Sequence, residues 1–215
     1  MKRATLTLAV LALLLGGVGQ ARAGFVFTDR AAFLADVQPG YYLEDFNGLP
    51  GYTDLGPSVS FSGGGFSYDA TNPNDLFTTP SIAGDVALST NFSGQAITIG
   101  FTGAPVTAVG GNIFGTDISG FYTPGAITMQ LNDGESITLP NPDPTSFAGF
   151  ITSSPIVSVS IFPEGFNPAY YATLDNLIVG QAAVTAVPEP ASLTLLGIGA
   201  LGLLGYGWRK RRQAA

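Results

Sequence analysis

Whatever chemistry this chain performs comes from carboxylates, hydroxyls and phenols, because it contains no cysteine and no histidine. Missing cysteine excludes disulfides, thiol nucleophiles and thiolate metal sites. Missing histidine excludes a Ser-His-Asp triad, histidine-ligated zinc and imidazole general bases. Three sets of oxygen-bearing or aromatic groups remain. Asp69, Asn72 and Asp75, with Thr71 and Asn74 between them, bring oxygen ligands together over a short stretch, as a loop does when it offers calcium part of its six to eight oxygens. No EF-hand glycine and closing glutamate accompany them, and the same residues also read as a polar loop of Asx turns. Glu44, Asp45, Glu135 and Glu164 could form the acid and base of a carboxylate glycosidase, which stand about 5–10 Å apart, but no spacing singles out a pair. Tyr41, Tyr42, Tyr52, Tyr68, Phe121, Tyr122, Tyr170 and Tyr171 are candidate stacking platforms for sugars, although core packing is the competing use of such rings.

Strands must position these groups. Apolar residues alternate with polar ones in Ala96-Ile97-Thr98-Ile99-Gly100-Phe101 and again over residues 156–162, the period of a half-buried strand. Residues 126–131 and 136–139 flank Asn132-Asp133-Gly134-Glu135, a hairpin signal. Residues 106–114 read as a strand interrupted at Gly110-Gly111, where a bulge is expected. Residues 41–46 and 171–179 read as an early and a closing strand. One short helix is expected over residues 28–37, with an N-cap candidate at its start and Pro39-Gly40 beyond its end. The pattern predicts an all-β, jelly-roll-like sandwich with one short N-terminal helix. By analogy with carbohydrate-binding jelly rolls, Glu44 and Asp45 on the early strand and Asp175 on the last form a second calcium candidate; solvent-facing acids are the alternative. Regular Thr-x-Thr ladders, which ice binding would need, do not occur, and Asn91-Phe92-Ser93 has the form of a glycosylation sequon.

The ends place this domain. Lys2 and Arg3, an apolar run over residues 6–18 and small residues at Ala21 and Ala23 make residues 1–23 a signal peptide, cut by signal peptidase before Gly24. Residues 191–208 carry no charge and as a helix would extend about 27 Å, enough for one membrane crossing. Arg209, Lys210, Arg211 and Arg212 follow and belong on the cytoplasmic side. Residues 24–180 are then the outside domain and 181–187 a linker. Between residues 24 and 187 the only basic residue is Arg30, against fourteen acids, so the net charge is 1 − 14 = −13. Such a domain repels phosphate, and nucleic acid is excluded as a partner.

Val187-Pro188-Glu189-Pro190, an apolar span and a terminal Arg/Lys cluster, in that order, resemble the PEP-CTERM sorting signal of exopolysaccharide-producing bacteria. The resemblance implies handling by an exosortase-type membrane protease at residues 188–212, cutting near Pro188-Glu189-Pro190, where the prolines hold the backbone extended. The phrases FTDRAAFLADV, LEDFNGL, LSTN, PVTAVGGNIFGTD and ATLDNLIVG resemble the middle region of uncharacterised secreted proteins with the same tail, implying a sandwich but no activity. The expected function is that of a non-enzymatic surface or matrix protein, transiently anchored in the inner membrane and then released among extracellular polysaccharide. The alternatives are a carbohydrate-binding module supported by Ca2+, and a carboxylate glycosidase.

Overall fold

The computed structural model describes residues 24–80, 85–165 and 169–183 and the single residue Gly199. The signal segment 1–23, the Pro-Glu-Pro motif, the apolar span apart from Gly199, and the basic cluster lie outside the described residues. Among those described, no helix is long and apolar enough to cross a membrane.

The chain is nearly all β. Its elements are β1 (Phe25–Phe27), α1 (Arg30–Ala35), β2 (Tyr42–Glu44), β3 (Asp54–Gly63), β4 (Phe66–Pro80), β5 (Val86–Thr90), β6 (Ile97–Phe101), β7 (Val106–Thr116), β8 (Ile127–Leu131), β9 (Ser136–Leu139), β10 (Phe147–Ile156), β11 (Ser158–Pro163) and β12 (Tyr171–Gly180). Neighbours run β5-β12-β7-β10 in one layer and β6-β11-β8-β9 in the other, all antiparallel. Apart from the β8–β9 hairpin, each step from β5 to β12 switches layer, which is jelly-roll connectivity. β1 extends the first layer beyond β10, and β2 pairs with β12.

The facing surfaces interlock through period-two alternation. Ile97, Ile99, Ile127, Met129, Val159 and Ile161 of one layer share a core with Val109, Ile113, Phe150, Ala172, Leu174 and Leu177 of the other. Burying each of these larger side chains stabilises the fold by about 1.5–3 kcal/mol. α1 is too short to persist alone. Asp29 caps it by accepting from Ala32 N at 2.7 Å, and Phe33 and Val37 cover the outer face of the first layer at Ala108, Phe147, Ile151 and Ile178.

β4 joins the layers. Residues 68–71 pair with β6, residues 76–80 with β5. The polar stretch Asp69 to Asp75, read from sequence as a loop, is therefore part of a strand. The loop character survives locally: Asn74 N donates to Asn72 Oδ1 at 2.7 Å, and Asp75 has φ 68° where the strand turns from one layer to the other. Asn72 Nδ2 pins the bend by donating to Ala96 O at 2.8 Å.

The bulge expected at Gly110-Gly111 sits on the partner strand instead. Register on β12 jumps from Asp175↔Asn112 to Ile178↔Gly110, inserting one residue, and Asn176 there has φ 52°. Gly111 permits this because a Cβ would stand 2.9 Å from Leu174 Cδ1 and 3.2 Å from Asp175 O.

Candidate functional site

The six sequence-selected calcium ligands are spread across the fold. β2 does lie beside β12, with Glu44 opposite Leu177. Leu177 points into the sandwich core, whereas Asp175, adjacent to core residue Leu174, is on the other face of the sheet. The Glu44 and Asp175 carboxylates thus belong to opposite faces of neighbouring strands. Glu44 accepts from Tyr42 OH and from Phe46 N at 2.9 Å. Asp45 accepts from Asn47 N at 3.1 Å, and Asp69 from Ser60 Oγ at 2.5 Å. Asp175 is buried and accepts from Asn176 N at 2.7 Å. Among the described residues no three acidic side chains converge on a common metal position.

The acids considered for hydrolysis are likewise in separate settings. Glu164 accepts from Thr128 Oγ1, Glu44 is held at β2, and Glu135 closes the β8–β9 turn against Gly24. Of the candidate platforms, Tyr68 and Tyr170 are buried and are corrected to core positions. Burial drives the Tyr68 phenol well above its usual range, with the Glu44 charge adding to it. Burial also raises Tyr170 to about 12, and its hydroxyl donates to Gly125 O at 2.6 Å. Among the described residues the exposed rings are Phe25, Tyr41, Tyr52, Phe92, Phe121 and Tyr122.

A concave feature that gathers hydroxyls lies on the outer face of the first layer, past the area covered by α1. Ser89, Thr116 and Thr173 come from three neighbouring strands. Thr173 Oγ1 stands 3.1 Å from Ser89 Oγ and 2.9 Å from Thr116 Oγ1, all three residues buried. Beside this chain of hydroxyls is a cleft of about 80 Å³ whose walls include Thr79, Thr90, Asn91, Asp117, Gly120 and Tyr171. Thr79 Oγ1 and Thr90 Oγ1 are buried and have no hydrogen-bond partner among the described residues. Asp117 shapes the covering loop by accepting from Ser119 N at 2.8 Å and Phe121 N at 3.0 Å. Gly120, at φ 80°, packs so closely on Thr79 Oγ1 that a Cβ would overlap it. Exposed Phe92 follows Asn91, and exposed Phe121 and Tyr122 follow Gly120.

Sequence reasoning missed this site because its hydroxyls are contributed by strands far apart in the chain, and each alone reads as an ordinary strand Ser or Thr. A signal was present. LSTN holds Ser89, Thr90 and Asn91, PVTAVGGNIFGTD ends on Thr116 and Asp117, and ATLDNLIVG holds Thr173. These phrases become the adjacent strands β5, β7 and β12.

No curated protein matches the sequence. Among solved structures, a mutant of CBM29-2, a family 29 carbohydrate-binding module, overlaps with 11% identity over 70% of this chain and 98% of its own, at a TM-score of 0.32. A glycoside hydrolase family 43 arabinoxylan arabinofuranohydrolase from Bacillus subtilis overlaps with 17% identity over 60% of this chain and 28% of its own, at a TM-score of 0.32. An exo-beta-1,3-galactanase from Phanerochaete chrysosporium overlaps with 18% identity over 57% of this chain and 29% of its own, at 0.31. Scores of this size do not establish a common architecture, and the jelly-roll assignment rests on the strand order above. The C-terminal segment is specific: residues 186–212 match the PEP-CTERM protein-sorting motif, and this chain carries that motif behind an all-β domain.

Proposed function

We propose that this protein is exported, held by its C-terminal span with the jelly roll outside the cytoplasm, and cut near Pro188-Glu189-Pro190 by an exosortase-type membrane protease. It then serves at the cell surface or in the extracellular polysaccharide layer as a non-enzymatic module. The match of residues 186–212 to the sorting motif carries this reading. The missing histidine and cysteine and the separate settings of the glutamates speak against catalysis. Cell fractionation tests it. The wild-type chain is expected as a shortened form at the surface or in the medium. A chain lacking residues 188–215 is expected to pass into the medium without surface retention. Equal surface retention without the tail contradicts the reading.

The hydroxyl-lined cleft favours a second, finer reading, in which the domain binds neutral polysaccharide. Buried hydroxyls that lack partners are costly, and a ligand rich in hydroxyl groups both donates to and accepts from such groups. The −13 charge of residues 24–187 disfavours anionic polymers by simple repulsion. A calcium-supported form of this module would place the ion on carboxylates among Glu44, Asp45, Asp69, Asp75 and Asp175. It requires a higher melting temperature in millimolar calcium than in chelator, since an ion binding only the native state stabilises it.

A further inference from the structure

The segment entering β1 meets the β8–β9 turn, where the Glu135 carboxylate fills the space a side chain on Gly24 would take. A Cβ on Gly24 would overlap Glu135 Oε2, and the carboxylate carbon would stand 2.7 Å from it. The two residues share a small cleft of about 60 Å³ with Asn132, Asp133, Thr152 and Ser154. Both partners are positioned from behind. β1 pairs on β10 with Phe25 opposite Ile151, which fixes Gly24 at the edge of the sheet. Asp133 Oδ1 accepts from Glu135 N at 3.1 Å, which fixes the turn. Gly24 is the residue that signal removal would make the first of the mature chain.

We infer that the Glu135 carboxylate is a docking site for the chain's own processed N-terminus, receiving the α-ammonium of Gly24 once residues 1–23 are removed. The nitrogen lies one covalent bond, about 1.5 Å, from the Cα whose missing side chain leaves room for this carboxylate. Before cleavage this nitrogen is a neutral amide with a single donor. Peptide hydrolysis adds water across the Ala23–Gly24 bond: the hydroxyl stays with the Ala23 carboxylate and the nitrogen gains protons, becoming a cation with three donors. Cleavage thus turns a one-sided contact with an ionised acceptor into one in which both partners are ionised, an ion pair as well as a hydrogen bond. Arg30 is the one basic side chain between residues 24 and 187, so the new cation supplies a counter-charge the side chains lack. The titratable groups on the walls of this cleft are Asp133 and Glu135; Thr152, Ser153, Ser154 and Pro155 of β10 carry none. Processing therefore does more than release the chain: it completes the fastening of β1.

This inference rests on cleavage before Gly24. The test uses the exported full-length protein and its Glu135→Gln and Glu135→Asp variants, with the N-terminal residue determined by mass spectrometry. An unperturbed α-amine titrates near 8, and pairing raises its value in the folded state. Stability from the pair is thus complete below pH 8 and lost as pH rises through the folded value. Glu135→Gln is expected to melt several degrees below wild type at pH 6.5, with the gap closing by pH 10.5, and Glu135→Asp to recover part of it. Because each comparison is made at one pH, tyrosine ionisation cancels. A gap that is the same at both pH values, or no gap at all, in protein beginning at Gly24 overturns the docking. A different first residue overturns the cleavage reading and the docking with it.

Discussion

Thr116 Oγ1 stands 2.9 Å from Thr173 Oγ1, across neighbouring strands β7 and β12, with both side chains buried. Thr173 also lies 3.1 Å from Ser89 Oγ on β5, so one hydroxyl links three strands beneath the cleft. Replacing Thr173 by Val removes the middle member and leaves the buried Thr116 hydroxyl without its partner, while Ser89 keeps its bond to Ala172 O. The expected loss is about 1–3 kcal/mol, which for a domain of this size is several degrees in Tm. Thermal unfolding followed by circular dichroism measures it.

Thr90→Val should behave in the opposite way. The Thr90 hydroxyl is buried and lacks a partner among the described residues, so losing it removes a desolvation cost while keeping the side-chain shape. The melting temperature is expected to stay level or rise, while retention on a neutral polysaccharide in affinity electrophoresis falls. A large drop in Tm would mean that the hydroxyl is already satisfied within the fold.

Tyr171 and Asn91 stand on the walls of the same cleft and are half-buried. Tyr171→Ala and Asn91→Ala are each expected to weaken binding to neutral polysaccharide at least tenfold, with no gain in binding to an anionic polymer such as alginate. Unchanged retention in both would move the site elsewhere, to exposed rings such as Tyr41 or Tyr52.

Alkaline pH should unfold this domain through its buried phenols. Burial raises Tyr170 to about 12, above the value near 10 of an unfolded tyrosine. The neutral phenol is the form the fold favours, so its contribution is complete below pH 10 and lost as pH rises through 12. Tyr170→Phe should show a shallower decline in stability between pH 9.5 and 12. It should also lose about 1 kcal/mol at neutral pH, because the hydrogen bond to Gly125 O disappears.

Gly120 has φ 80° and packs on Thr79 Oγ1 with no space for a Cβ. Gly120→Ala is expected to destabilise the domain by more than the roughly 1 kcal/mol of left-handed strain alone, and to disturb the loop over residues 117–122. Thr79→Ser with Gly120→Ala should not restore it, since the oxygen that blocks the space is retained.

The local grammar of the fold was legible because it rests on short-range rules. Asn132-Asp133-Gly134-Glu135 marked the β8–β9 hairpin, and alternation over residues 96–101 marked β6. Asp29 capping α1 follows from its side-chain chemistry. What escaped was set by partners. The polar stretch Asp69 to Asp75 became strand because β3 and β6 lie alongside its first half, a fact absent from its own composition. The bulge fell on Asn176 and not on the Gly110-Gly111 pair, because glycine's lack of a side chain makes room for distortion in its neighbour. The hydroxyl cleft is a property of sheet order, which brings β4, β5, β12 and β7 side by side. At the C-terminus, by contrast, the motif is contiguous, and it was readable without any structure.

Intact-mass spectrometry of the protein recovered from the cell surface and medium tests the account at its centre. The account predicts a chain that begins at Gly24 and ends near Pro188-Glu189-Pro190, without the arginine-rich terminus. Recovery of exported protein whose mass still includes residues 191–215 would contradict it.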